Sequence, residues 1–123
     1  MGTRVILYVE DDPHNFLLVK RALEAQGNLK VEHAESGEKG LELARRLHPS
    51  LILVDIQLPG MSGFDFLELC RAEPEISSVP KIALTANVTR GERDRAIQAG
   101  FEDFIAKPFS LSRLREIVNK WAR

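Results

Sequence analysis

The chain alternates short apolar runs with longer segments in which apolar residues recur every three or four positions. A short apolar run predicts a β-strand, and a run without polar alternation predicts a strand that is covered on both faces of a parallel sheet. The third run, Leu-Ile-Leu-Val, is the clearest example. Five strands are predicted, at residues 5–9, 31–34, 51–54, 81–84 and 104–106.

The longer segments predict five helices, at residues 15–25, 37–47, 64–71, 92–99 and 111–121. Turn and capping residues support this division: Gly27 and Pro49 follow the first two helices, and Ser36 and Ser62 precede the second and third. Strands and helices that alternate in this way form right-handed βαβ units. The sequence therefore predicts a doubly wound α/β fold of the flavodoxin-like type, with a five-stranded parallel sheet in the order 2-1-3-4-5.

Composition narrows the classes of function. The 123 residues fit one domain, which we expect to span residues 1–123 without an output domain. The formal net charge of -1 gives no general attraction to nucleic acid or to an anionic membrane, and no apolar run is long enough to cross a bilayer. Cys70 is the only cysteine, so an internal disulfide is excluded and a cytoplasmic location is expected.

Acidic residues follow two of the predicted strands. Asp55 comes directly after the third strand, and Glu10, Asp11 and Asp12 come directly after the first. If these strands are neighbours, the four carboxylates meet at the carboxyl edge of the sheet, where ligands of such folds bind. Crowded carboxylates favour a hard divalent cation, so Mg²⁺ and phosphoryl chemistry are predicted.

Simpler interpretations of these acids remain open at this point. Aspartate before a turn often caps the turn through its side chain, and that reading is available for Asp55. For Asp12, which precedes Pro13, capping of the first helix is the preferred interpretation.

Two further strand ends carry polar groups. Thr85 and the backbone amide of Ala86 follow the fourth strand, and Lys107 follows the fifth. A phosphoryl group on Asp55 would need a hydrogen-bond donor and a cation, which these residues could supply. In isolation, a lysine before proline is usually a solvated loop residue, and a threonine here usually just ends its strand.

Taken together, these residues resemble the receiver domain of bacterial two-component response regulators over essentially the whole chain. The resemblance rests on Glu10-Asp11, Asp55, Thr85-Ala86 and Lys107-Pro108, and on the loop Pro-Gly-Met-Ser-Gly at residues 59–63. It is closest to the stand-alone type. The resemblance implies that Asp55 accepts a phosphoryl group from the phosphohistidine of a sensor histidine kinase or a histidine phosphotransfer protein, and that the chain is a regulatory domain and not an enzyme.

The resemblance also implies a role for each site residue. Asp11, Asp55 and the backbone carbonyl of Gln57 would hold Mg²⁺, with Glu10 acting mainly through water. Lys107 would pair with the carboxylate and then with the phosphoryl group. Thr85 and the Ala86 amide would bind phosphoryl oxygens.

Other expectations from the resemblance concern signalling. Phe104 would be the switch aromatic that responds to movement of Thr85, although a simple core aromatic is an equal alternative. Gln57 and Asn87 would tune the phosphoryl lifetime, and the Lys107–Pro108 peptide would be cis. A downstream protein would bind the face formed by the fourth predicted helix, fifth strand and fifth predicted helix, and the chain would be a monomer or a phosphorylation-linked dimer.

Three alternatives compete with this interpretation. A haloacid-dehalogenase-type phosphatase also uses an aspartate after a strand, but it needs a second aspartate two residues later, where this chain has Gln57. A receiver that binds partners without phosphorylation is the second alternative. The third is a receiver excised from a hybrid histidine kinase.

Overall fold

The computed structural model describes residues 2–86 and 89–122. Its centre is one all-parallel sheet of five strands in the order β2-β1-β3-β4-β5, as the sequence predicts. The strands are β1 (Arg4–Val9), β2 (Leu29–Ala34), β3 (Leu51–Asp55), β4 (Lys81–Thr85) and β5 (Asp103–Ala106). In register, Val9 lies opposite Val54, Asp55 opposite Leu84, and Thr85 opposite Ala106. The predicted site residues therefore follow strand ends that share one edge of the sheet.

Six helices cover the two faces of the sheet in the described part of the chain. They are α1 (Pro13–Glu24), α2 (Gly37–Leu47), α3 (Gly63–Arg71), α4 (Pro74–Ser77), α5 (Arg90–Ala99) and α6 (Leu111–Trp121). Side chains cap the helices where the sequence predicts them: Asp12 accepts from the His14 amide, Ser36 from the Lys39 amide and Ser62 from the Asp65 amide. The interpretation of Asp12 as a helix cap is confirmed.

The core lies on both sides of the sheet because successive side chains of a strand point to opposite faces. Leu7 and Val9 of β1 pack beneath α2, α3, α4 and α5, whereas Ile6 and Tyr8 pack beneath α1 and α6. All five residues of β3 are buried, as expected for a strand covered on both faces. Cys70 is buried on one side of the sheet, and the partly buried Trp121 packs on the other.

The sequence prediction of five helices misses α4. Pro74–Ser77 is a single turn and is too short to show helical periodicity. Lys81 holds this turn, since its buried ammonium donates to the carbonyl oxygens of Ile76 at 2.7 Å, Val79 at 2.6 Å and Ser77 at 3.3 Å. Helix and strand ends elsewhere lie within two residues of the predicted ones, and those of α2 and α6 match them.

No helix within residues 2–86 and 89–122 is both long enough and apolar enough to cross a membrane.

Candidate functional site

Asp55 is the last residue of β3 and is 6% exposed. Its Oδ1 accepts a hydrogen bond from the Gln57 amide at 2.9 Å, and its Oδ2 accepts from Lys107 Nζ at 3.0 Å. Burial raises the pKa of Asp55, as does the nearby Glu10 carboxylate, and together they outweigh the Gln57 and Lys107 hydrogen bonds. The Asp55 carboxylate is therefore nearly enclosed, and the Lys107 ammonium is hydrogen-bonded to its Oδ2.

The loop after β3 brings the chain very close to itself at Gly63. The Gly63 amide donates to the Ile56 carbonyl oxygen at 2.9 Å. A Cβ atom at this glycine would lie 2.7 Å from the Ile56 Cα and 3.0 Å from the Asp55 carbonyl oxygen. Only glycine fits this approach without a backbone shift, so Gly63 fixes the path of the chain directly after Asp55.

Lys107 follows β5 and is 19% exposed on its side chain. Besides Asp55, its ammonium donates to Glu10 Oε1 at 3.1 Å. Burial lowers the pKa of Lys107, but the Asp55 and Glu10 carboxylates together outweigh it, so the pKa lies above its ordinary value. The Lys107–Pro108 peptide is cis, as the resemblance implies. The interpretation of this lysine as a solvated loop residue is wrong, because the sheet order brings it between two buried acids.

Glu10 is 1% exposed and is surrounded by donors. Its Oε1 accepts from the Tyr8 hydroxyl at 2.9 Å as well as from Lys107, and its Oε2 lies 3.3 Å from the Asp12 amide. Burial raises the pKa of Glu10, but the hydrogen bond from Tyr8 and the Lys107 ammonium outweigh it, so the pKa lies below its ordinary value. Glu10 thus has direct protein partners in addition to any role through water.

Glu10, Asp11 and Asp55 offer carboxylate oxygens that all lie within 4.8 Å of one another. Asp11 is exposed, whereas the other two are buried, so the group opens to solvent on the side of Asp11. This group holds three carboxylates, two of which pair with the Lys107 ammonium, so negative charge is in excess. Oxygen donors with excess negative charge fit a hard divalent cation.

The remaining predicted residues surround the same edge. Thr85 is fully buried at the end of β4, and its carbonyl oxygen accepts from the Lys107 amide at 2.7 Å. Ala86 lines a cavity of about 370 Å³ together with Tyr8, Lys107 and Pro108. Gln57 is exposed beside Asp55. Asn87 lies outside the described residues.

Phe104 lies on β5 away from the carboxylates. Its half-buried ring packs against the core and lines a cleft between α5 and α6, so it has both a core and a surface side. The structure is compatible with either interpretation of this aromatic.

Tyr8 is the site residue that sequence reasoning missed. A usable signal existed, because residues two apart in a strand share a face and Tyr8 lies two residues before Glu10. Because Tyr8 stands within an apolar run, the run itself indicates a core aromatic and gives no sign that the hydroxyl has a role.

Comparison with known proteins agrees with this geometry. The model of the response regulator receiver domain family matches residues 6–119. The polar-differentiation response regulator DivK of Brucella ovis is 37% identical over 119 residues, covering 97% of this chain and 96% of DivK. The chain therefore belongs to the response regulator receiver domains, which are signalling switches of two-component systems and not enzymes. The dehalogenase-type alternative is wrong.

Solved structures show the same architecture. The receiver domain of the sensor histidine kinase PA1611 from Pseudomonas aeruginosa matches with a TM-score of 0.88 and 35% identity, covering 98% of each chain; that structure has a magnesium ion coordinated in its active-site cleft. The chemotaxis protein CheY4 of Vibrio cholerae matches with a TM-score of 0.90 over 98% of this chain and 99% of its own, and at 23% identity it shows the shared fold alone.

Proposed function

We propose that the chain is a phosphoaccepting switch in which Asp55 takes a phosphoryl group from a phosphohistidine. The observation that carries this proposal is the placement of Asp55 at the carboxyl edge of the sheet, nearly buried and 3.0 Å from the Lys107 ammonium. In the transfer, an Asp55 carboxylate oxygen forms a bond to phosphorus while the bond from phosphorus to the donor imidazole breaks. The imidazole leaves with the electron pair, and because its other ring nitrogen carries a proton it is neutral after the transfer.

Mg²⁺ is the cofactor that fits the group of Glu10, Asp11 and Asp55 oxygens. Asp11, Asp55 and the Gln57 carbonyl would hold it, and Glu10 would reach it through water. When bound, the ion neutralises charge on the phosphoryl oxygens. The excess negative charge of the site and the magnesium ion in the PA1611 receiver support this assignment.

The chain's own residues position and stabilise the phosphoryl group. Lys107, which already donates a hydrogen bond to Asp55, would donate to a phosphoryl oxygen after transfer. The Thr85 hydroxyl and the Ala86 amide would donate to the others from the adjacent end of β4. Gln57 and Asn87 would set the lifetime of the acyl phosphate by controlling access of water.

Movement of Thr85 toward the phosphoryl group would let Phe104 change its packing at the cleft between α5 and α6. This cleft has a volume of about 710 Å³, and three arginines line it: Arg90, Arg93 and Arg113. We assign it as the surface for a downstream protein, corresponding to the face that the resemblance implies. Its guanidinium groups favour an acidic partner segment.

The donor would be a sensor histidine kinase or a histidine phosphotransfer protein in the cytoplasm. Similarity to DivK, named a polar-differentiation response regulator, supports a signalling context, and similarity to the receiver of PA1611 supports the alternative that the chain is part of a hybrid kinase. We propose neither nucleic acid nor membrane as a partner, and a monomer that dimerises at most on phosphorylation.

Intact mass after incubation with acetyl phosphate and Mg²⁺ tests the proposal. The wild type should gain about 80 Da, the mass of one phosphoryl group, and Asp55→Asn should gain nothing. Asp94→Asn is the matched control, because this aspartate is exposed on α5, and it should gain the same mass as the wild type. EDTA should abolish the adduct.

An adduct of equal size on Asp55→Asn would refute the assignment of the acceptor. If neither acetyl phosphate nor a phosphohistidine donor modifies the wild type, the chain is a receiver that binds partners without phosphorylation.

A further inference from the structure

Tyr8 has no role in the function proposed above, yet it touches the site directly. It is fully buried in β1, and its hydroxyl donates to Glu10 Oε1 at 2.9 Å. A tyrosine hydroxyl keeps its proton at neutral pH, so it acts as the donor in this contact. A tyrosine whose only polar atom is used on a buried acid of the site is more than a core aromatic.

The contact continues toward the phosphoacceptor. Glu10 Oε1, which accepts from Tyr8, also accepts from Lys107 Nζ at 3.1 Å, and the same ammonium donates to Asp55 Oδ2 at 3.0 Å. The order of contacts is therefore Tyr8, Glu10, Lys107 and Asp55. Tyr8, Glu10 and Asp55 are almost completely buried, so water has little access to replace a lost donor. Losing a donor here therefore carries a free-energy cost.

We propose that Tyr8 is a positioning residue for phosphoryl transfer, which fixes the Glu10 carboxylate so that Lys107 is shared between Glu10 and Asp55. The inference rests on the proposed function of Asp55. The Tyr8 hydroxyl and the Lys107 ammonium both donate to Glu10 Oε1. The hydrogen bond from Tyr8 weakens the attraction between this oxygen and the Lys107 ammonium. Lys107 consequently stays within hydrogen-bonding distance of the Asp55 carboxylate and, after transfer, of the phosphoryl group on Asp55.

Tyr8→Phe removes only the hydroxyl and keeps the ring that packs 6.3 Å from Phe16. Without the hydroxyl, Lys107 is the remaining side-chain donor to Glu10 Oε1 among residues 2–86 and 89–122. The ammonium then moves toward Glu10 and away from Asp55. Because hydrogen bonds to charged groups are the stronger ones, we expect phosphorylation by acetyl phosphate at saturating Mg²⁺ to slow about tenfold.

A double-mutant cycle tests whether Tyr8 acts through Glu10. The four proteins are the wild type, Tyr8→Phe, Glu10→Gln and the double variant. A neutral amide accepts a hydrogen bond of about half the strength, so the effect of Tyr8→Phe should fall from about tenfold to about threefold in the Glu10→Gln background. An equal effect in both backgrounds would overturn the proposal.

The same cycle in urea unfolding without metal gives a readout that is independent of phosphorylation. The loss in the folding equilibrium constant caused by Tyr8→Phe should again be about threefold smaller in the Glu10→Gln background. Additive losses would mean that the contact does not exist in solution and would also overturn the proposal.

Trp121→Phe is the matched control for loss of stability. Trp121 Nε1 donates to Asp103 Oδ2 at 3.1 Å, so this variant also removes an aromatic donor from a carboxylate, but at the start of β5. Its phosphorylation rate should stay within about twofold of the wild type, since a contact this far from the reacting groups should not alter the rate. A slowing equal to that of Tyr8→Phe would assign the effect to stability and refute the role of Tyr8.

The two levels of failure are distinguishable. A wild type that takes no phosphoryl group refutes the proposed function. A wild type that is phosphorylated at the same rate as Tyr8→Phe refutes only the role of Tyr8.

Discussion

Gly63→Ala is the smallest change that should disturb both the fold and the site. The new methyl group would lie 2.7 Å from the Ile56 Cα, 3.0 Å from the Asp55 carbonyl oxygen and 3.2 Å from the Val54 Cγ1. Two of these three atoms belong to the backbone, so the end of β3 or the start of α3 must move. Forced contacts of this kind in a packed region cost about 1–3 kcal/mol, and we expect a loss of about 2 kcal/mol in the free energy of unfolding.

The same shift acts on function because it displaces the residue that carries the reacting carboxylate. Misplacement of a reacting group by about 1 Å can cost about a hundredfold in rate, and a shift of a few tenths of an ångström should slow phosphorylation of Asp55 by about tenfold. Urea unfolding measures the first effect. Intact-mass kinetics with acetyl phosphate and saturating Mg²⁺ measure the second.

Gly91→Ala is the matched control. Gly91 lies in α5, and an added Cβ would meet no atom within 4 Å. Alanine favours a helix over glycine, so this variant should be more stable by up to about 1 kcal/mol and should be phosphorylated at the wild-type rate. The reasoning fails if Gly63→Ala unfolds at the wild-type urea concentration, or if its phosphorylation rate equals that of Gly91→Ala.

Three further predictions concern buried and partly buried charges. Lys107→Met should destabilise the metal-free protein by about 3 kcal/mol, because it leaves the Glu10 and Asp55 carboxylates without their cation. In urea unfolding, Mg²⁺ should restore part of this stability. A loss below about 1 kcal/mol would contradict the buried ion pairs. Lys81→Met should cost about 2 kcal/mol, since carbonyl oxygens at the end of α4 lose their donor; unchanged unfolding would disprove this anchoring role. The Lys20 ammonium and the Val31 amide lower the pKa of Glu24 below its usual 4.5, so its stabilisation is present above that pH and is lost as the pH falls through the lowered value. The Glu24 side chain is 32% exposed, so Glu24→Gln should lower the free energy of unfolding by only about 0.5 kcal/mol at pH 7. The loss should become progressively smaller below pH 4.5, which unfolding measured against pH would show. A difference that stays constant with pH would refute this prediction.

Much of the fold was predictable because its signals are local. The uninterrupted apolar run before Asp55 predicts a doubly covered strand, and Ser36 and Ser62 mark helix starts through hydrogen bonds to amides three residues away. Such signals depend on residues that are neighbours in sequence. The single turn of α4 was not predictable, because the buried ammonium of Lys81 anchors its carbonyl groups and four residues carry no periodicity.

By itself, the sequence determined the parallel α/β architecture and the set of polar residues that follow strand ends. The tertiary structure alone decided how those residues meet. Glu10 and Lys107 are 97 positions apart, and they come within 3.1 Å only because β1, β3, β4 and β5 lie in that spatial order. The spacing of Tyr8 and Glu10 indicates a shared face, but their burial and the narrow approach at Gly63 depend on packing between elements, which no local pattern encodes.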